Sequence, residues 1–291
     1  MVHRPAIVGL MTALFVTVGP ALGGSAHPAL PRAVIEVFPG PNAIANALDI
    51  ADPGDVLNIH GGVYPEHVTV AVDRVTLQGA GDGTATIDAT CSRGNTIVVR
   101  AESVTLRGLR VVGAAAGGIA VDFSFVDRGR ITNSLIRDTC GDAEYGINVF
   151  GGGSIAVVAN STAGFDDAGI YIGGITSTPF GPLAVRNNES FGNTRGVIVE
   201  DSVGGTILVG ENRVDGNDTT GIWLNNTRGV RVGRNTVTDS GTSGIETDPR
   251  STGNLIRSNT VSGNPVDLVN GGNPNCWIDN IYDTSQGDVT C

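Results

Sequence analysis

The sequence contains no lysine, because all 18 of its basic residues are arginine. A lysine nucleophile and a lysine Schiff base are therefore excluded as catalytic devices. Positive charge is also scarce: 29 acidic residues give a formal net charge of -11. A chain this acidic would repel phosphate backbones, so we do not expect nucleic acid as a partner.

Long apolar runs are nearly absent, and the one that exists lies at the N-terminus. His3 and Arg4 precede an apolar run from Ala6 to Val18, and the small residues Gly24-Ser25-Ala26 follow it. This order is typical of a secretory signal peptide, here residues 1–26, with cleavage after Ala26. The alternative, a membrane anchor, needs a longer run. We therefore predict a secreted, extracellular protein with no membrane span in the mature chain.

Cysteine is rare as well, with four residues in the whole chain. In an exported protein four cysteines indicate two disulfides, for which three pairings exist. We predict Cys91 with Cys140 and Cys276 with Cys291. The second bond would close a loop of 15 residues and contribute about 3 kcal/mol through chain entropy.

Glycine is abundant and periodic. A glycine followed by an aliphatic residue recurs every 21 to 28 residues, ending in a degenerate Pro-Val pair. These markers are Gly118-Ile119, Gly146-Ile147, Gly169-Ile170, Gly196-Val197, Gly221-Ile222, Gly244-Ile245 and Pro265-Val266. A period of this length indicates a solenoid.

Asparagine supplies a second marker in phase with the first. It follows a short aliphatic strand in each repeat, at Asn133, Asn160, Asn188, Asn212, Asn235, Asn259 and Asn280. We interpret these residues as structural, because asparagine tolerates the left-handed backbone of a tight turn and stacked amides can hydrogen-bond from coil to coil.

Each repeat reads as three short strands separated by turns, which predicts an all-β fold. Strands this short must stack in parallel, about 4.8 Å apart, to bury a face. Before the repeats, residues 41–51 have an apolar helical face, which predicts a short helix that caps the first coil. The predicted domains are the signal peptide 1–26, an N-terminal extension 27–40 and a parallel β-helix of roughly eight to ten coils over 41–291.

The capping helix, the segment from Pro53 to Ile59 and the segment from Gly61 to Glu66 together resemble the N-terminal entry of the pectin lyase-like superfamily. The resemblance implies a single right-handed parallel β-helix. That superfamily includes polysaccharide lyases, polygalacturonases, methylesterases, epimerases, tailspikes and members without activity, so the fold does not define the function.

In that superfamily the groove usually follows the sheet that carries the Gly-Ile marker. Alternation along the strands predicts an outward column of Ala120, Asp122, Asn148, Phe150, Tyr171, Ile198, Glu200, Trp223, Asn225, Glu246, Asp248 and Asp267. Rings pack against the C–H faces of sugars, and carboxylates and amides bind hydroxyls. The predicted binding residues are Asn148, Tyr171, Arg195, Trp223, Asn225 and Asp267.

Carboxylates in this column are the candidate catalytic residues, namely Glu200, Glu246 and Asp248. Glu200 and Glu246 lie two coils apart, roughly 10 Å between Cα atoms, and inverting glycosidases hold acid and base about 6.5 to 9.5 Å apart. Glu246 and Asp267, expected in adjacent coils at about 5 Å, would suit a retaining pair or a calcium site. No cofactor is required by the sequence, although calcium fits it.

Family motifs match only in fragments. Asp166-Asp167 resembles the aspartate pair of polygalacturonases, but no histidine follows His67. Arg195 and Arg250 beside the acidic residues resemble, without a shared motif, the set used by pectate lyases. We therefore predict a protein that binds an extracellular polysaccharide. An extension of this hypothesis is that the protein also cleaves or modifies the polysaccharide. The alternative is a non-catalytic surface or envelope β-helix with a structural or purely glycan-binding role.

Overall fold

The computed structural model describes residues 32–80, 84–272 and 274–291. These residues form a right-handed parallel β-solenoid of about 10 turns, with three parallel sheets and one short helix. The predicted fold class is confirmed. Each coil contributes one strand to each sheet in turn.

The first sheet has 11 strands and the second has 9. The first comprises β1 (Val34–Val37), β2 (Val56–Ile59), β5 (Thr76–Gly79), β8 (Thr105–Arg107), β11 (Arg130–Thr132), β14 (Ala156–Val158), β17 (Leu183–Arg186), β20 (Ile207–Gly210), β23 (Arg231–Gly233), β26 (Leu255–Arg257) and β29 (Cys276–Ile278). The second comprises β3 (Gly62–Tyr64), β6 (Ala85–Arg93), β9 (Arg110–Ala115), β12 (Leu135–Arg137), β15 (Ser161–Ala163), β18 (Glu189–Phe191), β21 (Arg213–Asp215), β24 (Thr236–Thr238) and β27 (Thr260–Ser262).

The third sheet has 10 strands and carries the Gly-Ile marker. It comprises β4 (Val68–Val70), β7 (Ile97–Val99), β10 (Ile119–Ser124), β13 (Tyr145–Phe150), β16 (Ala168–Gly173), β19 (Arg195–Glu200), β22 (Thr220–Asn225), β25 (Ser243–Thr247), β28 (Val266–Asn270) and β30 (Ser285–Gln286). The outer face of this sheet is the predicted groove.

The core is the lumen of the solenoid, filled by aliphatic side chains that stack from coil to coil. Helix α1 (Ala43–Asp49) covers the first coil and buries Ile44, Ala47 and Leu48, as predicted. Its first N–H groups are satisfied by Glu66, whose carboxylate accepts hydrogen bonds from the backbone of Ile44 and Ala45, each at 3.0 Å. Glu66 is therefore a capping residue of the fold.

The asparagine marker forms a ladder along the axis. The side-chain amide of each asparagine donates to the Oδ1 of the next one, through Asn160, Asn188, Asn212, Asn235, Asn259 and Asn280. The structural interpretation is confirmed, but the predicted left-handed backbone is found only at Asn133 and not at the six other marker asparagines. The left-handed residue is the one before each ladder asparagine, such as Glu211 before Asn212. Asn133 is also not in the ladder, because Ser134 occupies that position and donates its N–H to Asn160.

The glycine marker reflects a close approach inside each coil. A Cβ atom at Gly221 would lie 2.3 Å from a methyl group of Val237 and 2.7 Å from the carbonyl oxygen of Gly244. A side chain at this position would collide with the side chains and backbone that surround it in the coil. Glycine is therefore required by packing, and its recurrence follows from the repetition of the coil.

Both predicted disulfides are present. Cys91 is bonded to Cys140, and Cys276 to Cys291. The signal peptide 1–26 and residues 27–31 of the predicted extension lie outside the described residues. The rest of the extension contains β1, which pairs with β2, so the first sheet begins at Val34. Within the described ranges, no helix is long and apolar enough to cross a membrane.

Candidate functional site

The outer face of the third sheet consists of three rows of side chains, each running from coil to coil. The register pairs put Tyr145, Ala168, Arg195, Thr220 and Ser243 in the first row. The second row contains Asp122, Asn148, Tyr171, Ile198, Trp223 and Glu246. The third contains Ser124, Phe150, Gly173, Glu200 and Asn225.

An apolar cluster forms the middle of this face. The rings of Tyr145 and Tyr171 stack with their centroids 4.5 Å apart. Ile198, 1% exposed, separates Tyr171 from the half-buried Trp223 in the same row. The guanidinium of Arg195 lies 4.8 Å from the centre of the Trp223 ring. One face of the indole is thus covered by a cation, an arrangement that is favourable to both groups.

Asp167 joins the first row to this cluster. Its carboxylate forms an ion pair with Arg195 and accepts a hydrogen bond of 3.2 Å from the hydroxyl of Tyr145. Burial, and then the negative charge of Asp167, raise the pKa of Tyr145 well above its usual range. The hydroxyl stays protonated at neutral pH and serves as a donor. Tyr145 was not among the predicted site residues, although it stands two positions before the marker residue Ile147.

Glu200 is held by two predicted binding residues. The Tyr171 hydroxyl donates to its Oε2 at 2.8 Å, and the Asn225 amide donates to its Oε1. Burial, and then the hydrogen bond to Glu200, raise the pKa of Tyr171. The Asn225 oxygen in turn accepts a 2.6 Å hydrogen bond from Arg250. The structure therefore brings Tyr171, Glu200, Asn225 and Arg250 into one network.

Asp248 lies at the edge of that network. Its carboxylate accepts hydrogen bonds from the Asn226 N–H at 2.8 Å, the Ser251 hydroxyl at 2.7 Å and Arg250 at 2.9 Å. Burial raises the pKa of Asp248, but these hydrogen bonds lower it by more, so the pKa lies below its ordinary value. Asp248 is ionised at neutral pH. It can act as a base or an anchor for Arg250, but it is a poor proton donor.

Glu246 and Glu200 are not brought together. Glu246 is in the row of Trp223, whereas Glu200 is in the row of Asn225. Two coils and two residues along the strand separate their Cα atoms by roughly 12 Å, more than the predicted 10 Å. The Glu246 carboxylate also accepts a 2.7 Å hydrogen bond from Ser243, in the row farthest from Glu200.

The N-terminal end of the face is polar and closely packed. The Asn148 amide donates to Asp122 at 2.7 Å and to Ser124 at 3.1 Å. Asn148 lies on the outer face as predicted, but it is only 4% exposed. Its side chain is therefore fully engaged within the protein.

Exposed rings border this end of the face. Phe125 and Phe150 pack edge to face, with centroids 5.4 Å apart. The long turn between β16 and β17 is tied to the preceding coil by a 2.7 Å hydrogen bond from the Ser154 hydroxyl to the Gly181 carbonyl. Its exposed Phe180 lies under the guanidinium of Arg128, 4.5 Å away. The turn therefore adds a third ring near the carboxyl ends of the strands.

Two residues of the predicted column are wrongly placed. Ala120 is buried, because the register aligns Val121, not Ile119, with the marker residue Ile147. Asp267 is 1% exposed and does not face the groove. The last marker slips by two residues, since Leu268 and not Val266 pairs with the marker residue Ile245. The expected Glu246–Asp267 pair is therefore wrong.

Asp267 has a different role in the structure. Its carboxylate accepts hydrogen bonds from the N–H groups of Asp283 and Thr284, at 2.9 and 3.1 Å, and from Asn264 at 2.9 Å. It attaches the C-terminal segment to the last coil. Among the residues that the structure describes, no three carboxylate, imidazole or thiol groups stand close enough to hold a metal ion.

A family model described as periplasmic copper-binding protein (NosD) matches residues 82–288, most of the chain. No curated protein sequence matches. Solved structures with the same fold include the enzymatically active domain of bacteriophage CBA120 tailspike protein 2, with 14% identity and a TM-score of 0.55. That match covers 86% of this chain and 43% of the tailspike chain, so this chain spans less than half of the tailspike's length.

Two further matches cover more of the known protein. DFA-IIIase from Arthrobacter chlorophenolicus is 17% identical with a TM-score of 0.52, covering 83% of this chain and 74% of the other. The mannuronan C-5 epimerase A-module of Azotobacter vinelandii is 14% identical with a TM-score of 0.50, covering 88% and 87%. At these identities the likeness shows a common fold.

Proposed function

The chain belongs to the NosD family of periplasmic proteins, and from this premise we propose that it is an exported protein that binds a polysaccharide along the outer face of its third sheet. The observation that carries the proposal is the apolar cluster of Tyr145, Tyr171 and Trp223, bordered by polar groups that are fixed in place. The two disulfides support export, because disulfides persist outside the reducing cytoplasm.

The chemistry of this face suits a neutral or weakly charged glycan. A half-exposed indole offers a flat apolar surface for the C–H face of a sugar ring. Beside it, Glu200 presents carboxylate oxygens and Arg195 presents N–H groups, both oriented by neighbours. Oriented polar groups bind hydroxyls without a large loss of side-chain entropy. The face extends over several coils, so it can follow a chain of sugars.

The solved structures with this fold support a polysaccharide ligand. The name of one, mannuronan C-5 epimerase, is that of an enzyme that acts on a polysaccharide, and another is the active domain of a phage tailspike. They support the ligand class and not a particular reaction, since one fold carries many chemistries.

Binding without cleavage is the version that the geometry favours. Glu200 and Glu246 lie roughly 12 Å apart at the Cα atoms, and Asp248 is fixed in its ionised form by Arg250 and Ser251. If the protein is an enzyme, Glu200 is the carboxylate that we propose as catalytic, because it lies next to Trp223 and Asn225 on the exposed face.

The copper in the family's description does not fit the described residues. All four cysteines are in disulfides. His60 stacks on Phe38 and pairs with Glu36, and both ring nitrogens of His67 are hydrogen-bonded within the protein. Copper prefers thiolate, thioether and imidazole ligands gathered at one point. Residues 32–80, 84–272 and 274–291 provide no such group.

The test is a glycan array with the mature protein, with and without calcium, that records both retention and released products. Trp223→Ala should abolish retention of neutral glycans, whereas Phe38→Ala, which removes an exposed ring on another part of the solenoid, should not. Product release that is lost in Glu200→Gln or Glu246→Gln would make the protein an enzyme. Absence of retention on every glycan would contradict the proposal and favour a purely structural role.

A further inference from the structure

The outer face of the first sheet contains a shallow cavity of about 200 Å³. We call it the first-sheet cavity, and two rows of residues line it. One row is Arg186, Gly210, Gly233 and Arg257, and the other is Leu208, Arg231 and Leu255. This surface belongs to a different sheet from the proposed glycan face.

Two glycines form the floor of the cavity. Gly210 and Gly233 succeed each other in the row between Arg186 and Arg257, so the trench spans three strand spacings, about 14 Å. Neither glycine has a left-handed backbone. A Cβ atom would lie 3.1 Å from a carbonyl oxygen at Gly210 and 3.2 Å at Gly233, a tight contact but not a collision. The backbone alone does not demand glycine here, and its effect is to leave the trench open.

The charge around the trench is positive and uncompensated. Among the described residues, Arg186, Arg231 and Arg257 have no carboxylate within ion-pair distance. A fourth arginine, Arg234, lies 3.5 Å from Glu211, which is the acidic residue of the lining. In a chain with a net charge of -11, three neighbouring arginines without a carboxylate partner form a local positive patch.

We propose that the first-sheet cavity binds an acidic oligosaccharide through its carboxylate groups. Arginine recognises carboxylates through paired N–H donors, and three of them spread along the trench match several anionic groups on one chain. Leu208 and Leu255 add apolar surface at the side of the trench for the C–H faces of the sugar rings. The trench is long enough for several carboxylates of one chain.

The contrast with the third sheet supports this assignment. There, Arg195 and Arg250 are both paired with carboxylates of the protein. On the first sheet, Arg186, Arg231 and Arg257 are free to pair with carboxylates of a ligand. The proposal goes beyond the glycan face of the third sheet, since its residues, its sheet and the charge of its ligand are different.

The test uses isothermal titration of the mature protein with tetragalacturonate, an oligosaccharide with four carboxylates. Replacing Arg186, Arg231 and Arg257 together by Gln should weaken binding by a factor on the order of 30 or more. The matched control replaces the exposed Arg93, Arg100 and Arg130 by Gln, which removes the same charge outside the cavity, and should leave binding within about threefold.

A second variant tests the trench without changing the charge. Gly210→Ser with Gly233→Ser should fill the floor and weaken binding by about tenfold, while circular dichroism confirms the fold. Absence of binding by the native protein, equal binding by the triple variant and its control, or normal binding by the serine variant would each overturn the proposal. Equal binding of a tetranucleotide would do so too, because it would show attraction by charge alone. Trp223→Ala should not alter this titration. The result therefore tests the first-sheet cavity independently of the proposed glycan face on the third sheet.

Discussion

The asparagine ladder and the outer face of the third sheet are both polar networks, but one repeats and the other does not. In the ladder the same residue makes the same hydrogen bonds in coil after coil. On the third sheet, Tyr171, Glu200 and Trp223 each occur once, at positions where the neighbouring coils have other residue types. Repetition marks what holds the coils together, and departure from repetition marks what a ligand can distinguish.

The first sheet shows the same contrast between two neighbouring rows of side chains. Leu208, Arg231 and Leu255 alternate apolar and charged side chains, whereas the inward row beside them contains only aliphatic residues over the same coils. The inward row serves the core, and the outward row varies. Measurements of stability and of binding should therefore separate the repeated residues from the unique ones.

The largest loss of stability is expected for Asn212→Ala. The side chain of Asn212 bonds to the backbone and amide of Asn188, to the Val185 carbonyl and to Asn235, all within 3.0 Å. Its removal leaves several buried groups unpaired, which should cost about 3 kcal/mol or more. The measurement is the urea midpoint, with Asn58→Ala as the control. A loss no larger than that of the control would contradict the conclusion that the ladder asparagines hold the coils together.

A smaller and pH-dependent loss is expected for Asp267→Asn. Burial raises the pKa of Asp267, but the hydrogen bonds from Asn264, Asp283 and Thr284 lower it by more. Because the folded pKa lies below the unfolded one, the charge stabilises the protein above about pH 4 and this contribution is lost as the pH falls through the folded pKa.

The Asp267→Asn variant should therefore be about 2 kcal/mol less stable at pH 7, and this difference should be smaller at pH 2. Urea unfolding at both pH values measures this difference. Asp218→Asn, at an exposed turn, is the control and should change neither value. A difference that is just as large at pH 2 would show that the carboxylate contributes through packing.

Trp223→Ala should have a small effect on stability and a large effect on glycan binding. The ring is half-buried and lies outside the lumen, so the unfolding free energy should fall by only about 1 kcal/mol. Affinity for a retained glycan should fall by a factor on the order of 10 to 100. Parallel denaturation and glycan titration measure both, and a large loss of stability with normal binding would place Trp223 among the structural residues.

The smallest change in stability is expected for Arg186→Gln. This side chain is exposed and has no ion-pair partner among the described residues, so its replacement should alter the unfolding free energy by less than about 0.5 kcal/mol. A thermal melt measures the change. A larger loss would mean that the arginine serves the fold, and it would weaken the contrast between the two kinds of residue.

Periodicity made the fold predictable, because every coil packs its aliphatic side chains into the same lumen. The repeat also contains two periodic patterns that were not predicted to matter. Asn193, Asn217 and Asn264 each follow a ladder asparagine by five residues, and they belong to a second row of buried amides. Likewise, Arg186, Gly210, Gly233 and Arg257 each stand two residues before a ladder asparagine, a pattern that is visible in the sequence.

The site was only partly predictable, for two physical reasons. Alternation gives the direction of a side chain only where the register between strands is regular. The register shifts at both ends of the marker series, at Ala120 and Asp267. In addition, the sequence does not show how neighbouring side chains pair across coils. The bond from Tyr171 to Glu200 joins residues 29 positions apart.

The ladder also has a direction. Every amide donates from Nδ2 to the Oδ1 of the following coil, so the amide dipoles point the same way from Asn160 to Asn280. An inserted or deleted coil that carries its own asparagine would leave each donor matched to an acceptor. The number of coils can therefore vary while the cross-section stays constant. The length of polymer that the protein can contact is a property that evolution, or an engineer, can change in whole coils of about 4.8 Å.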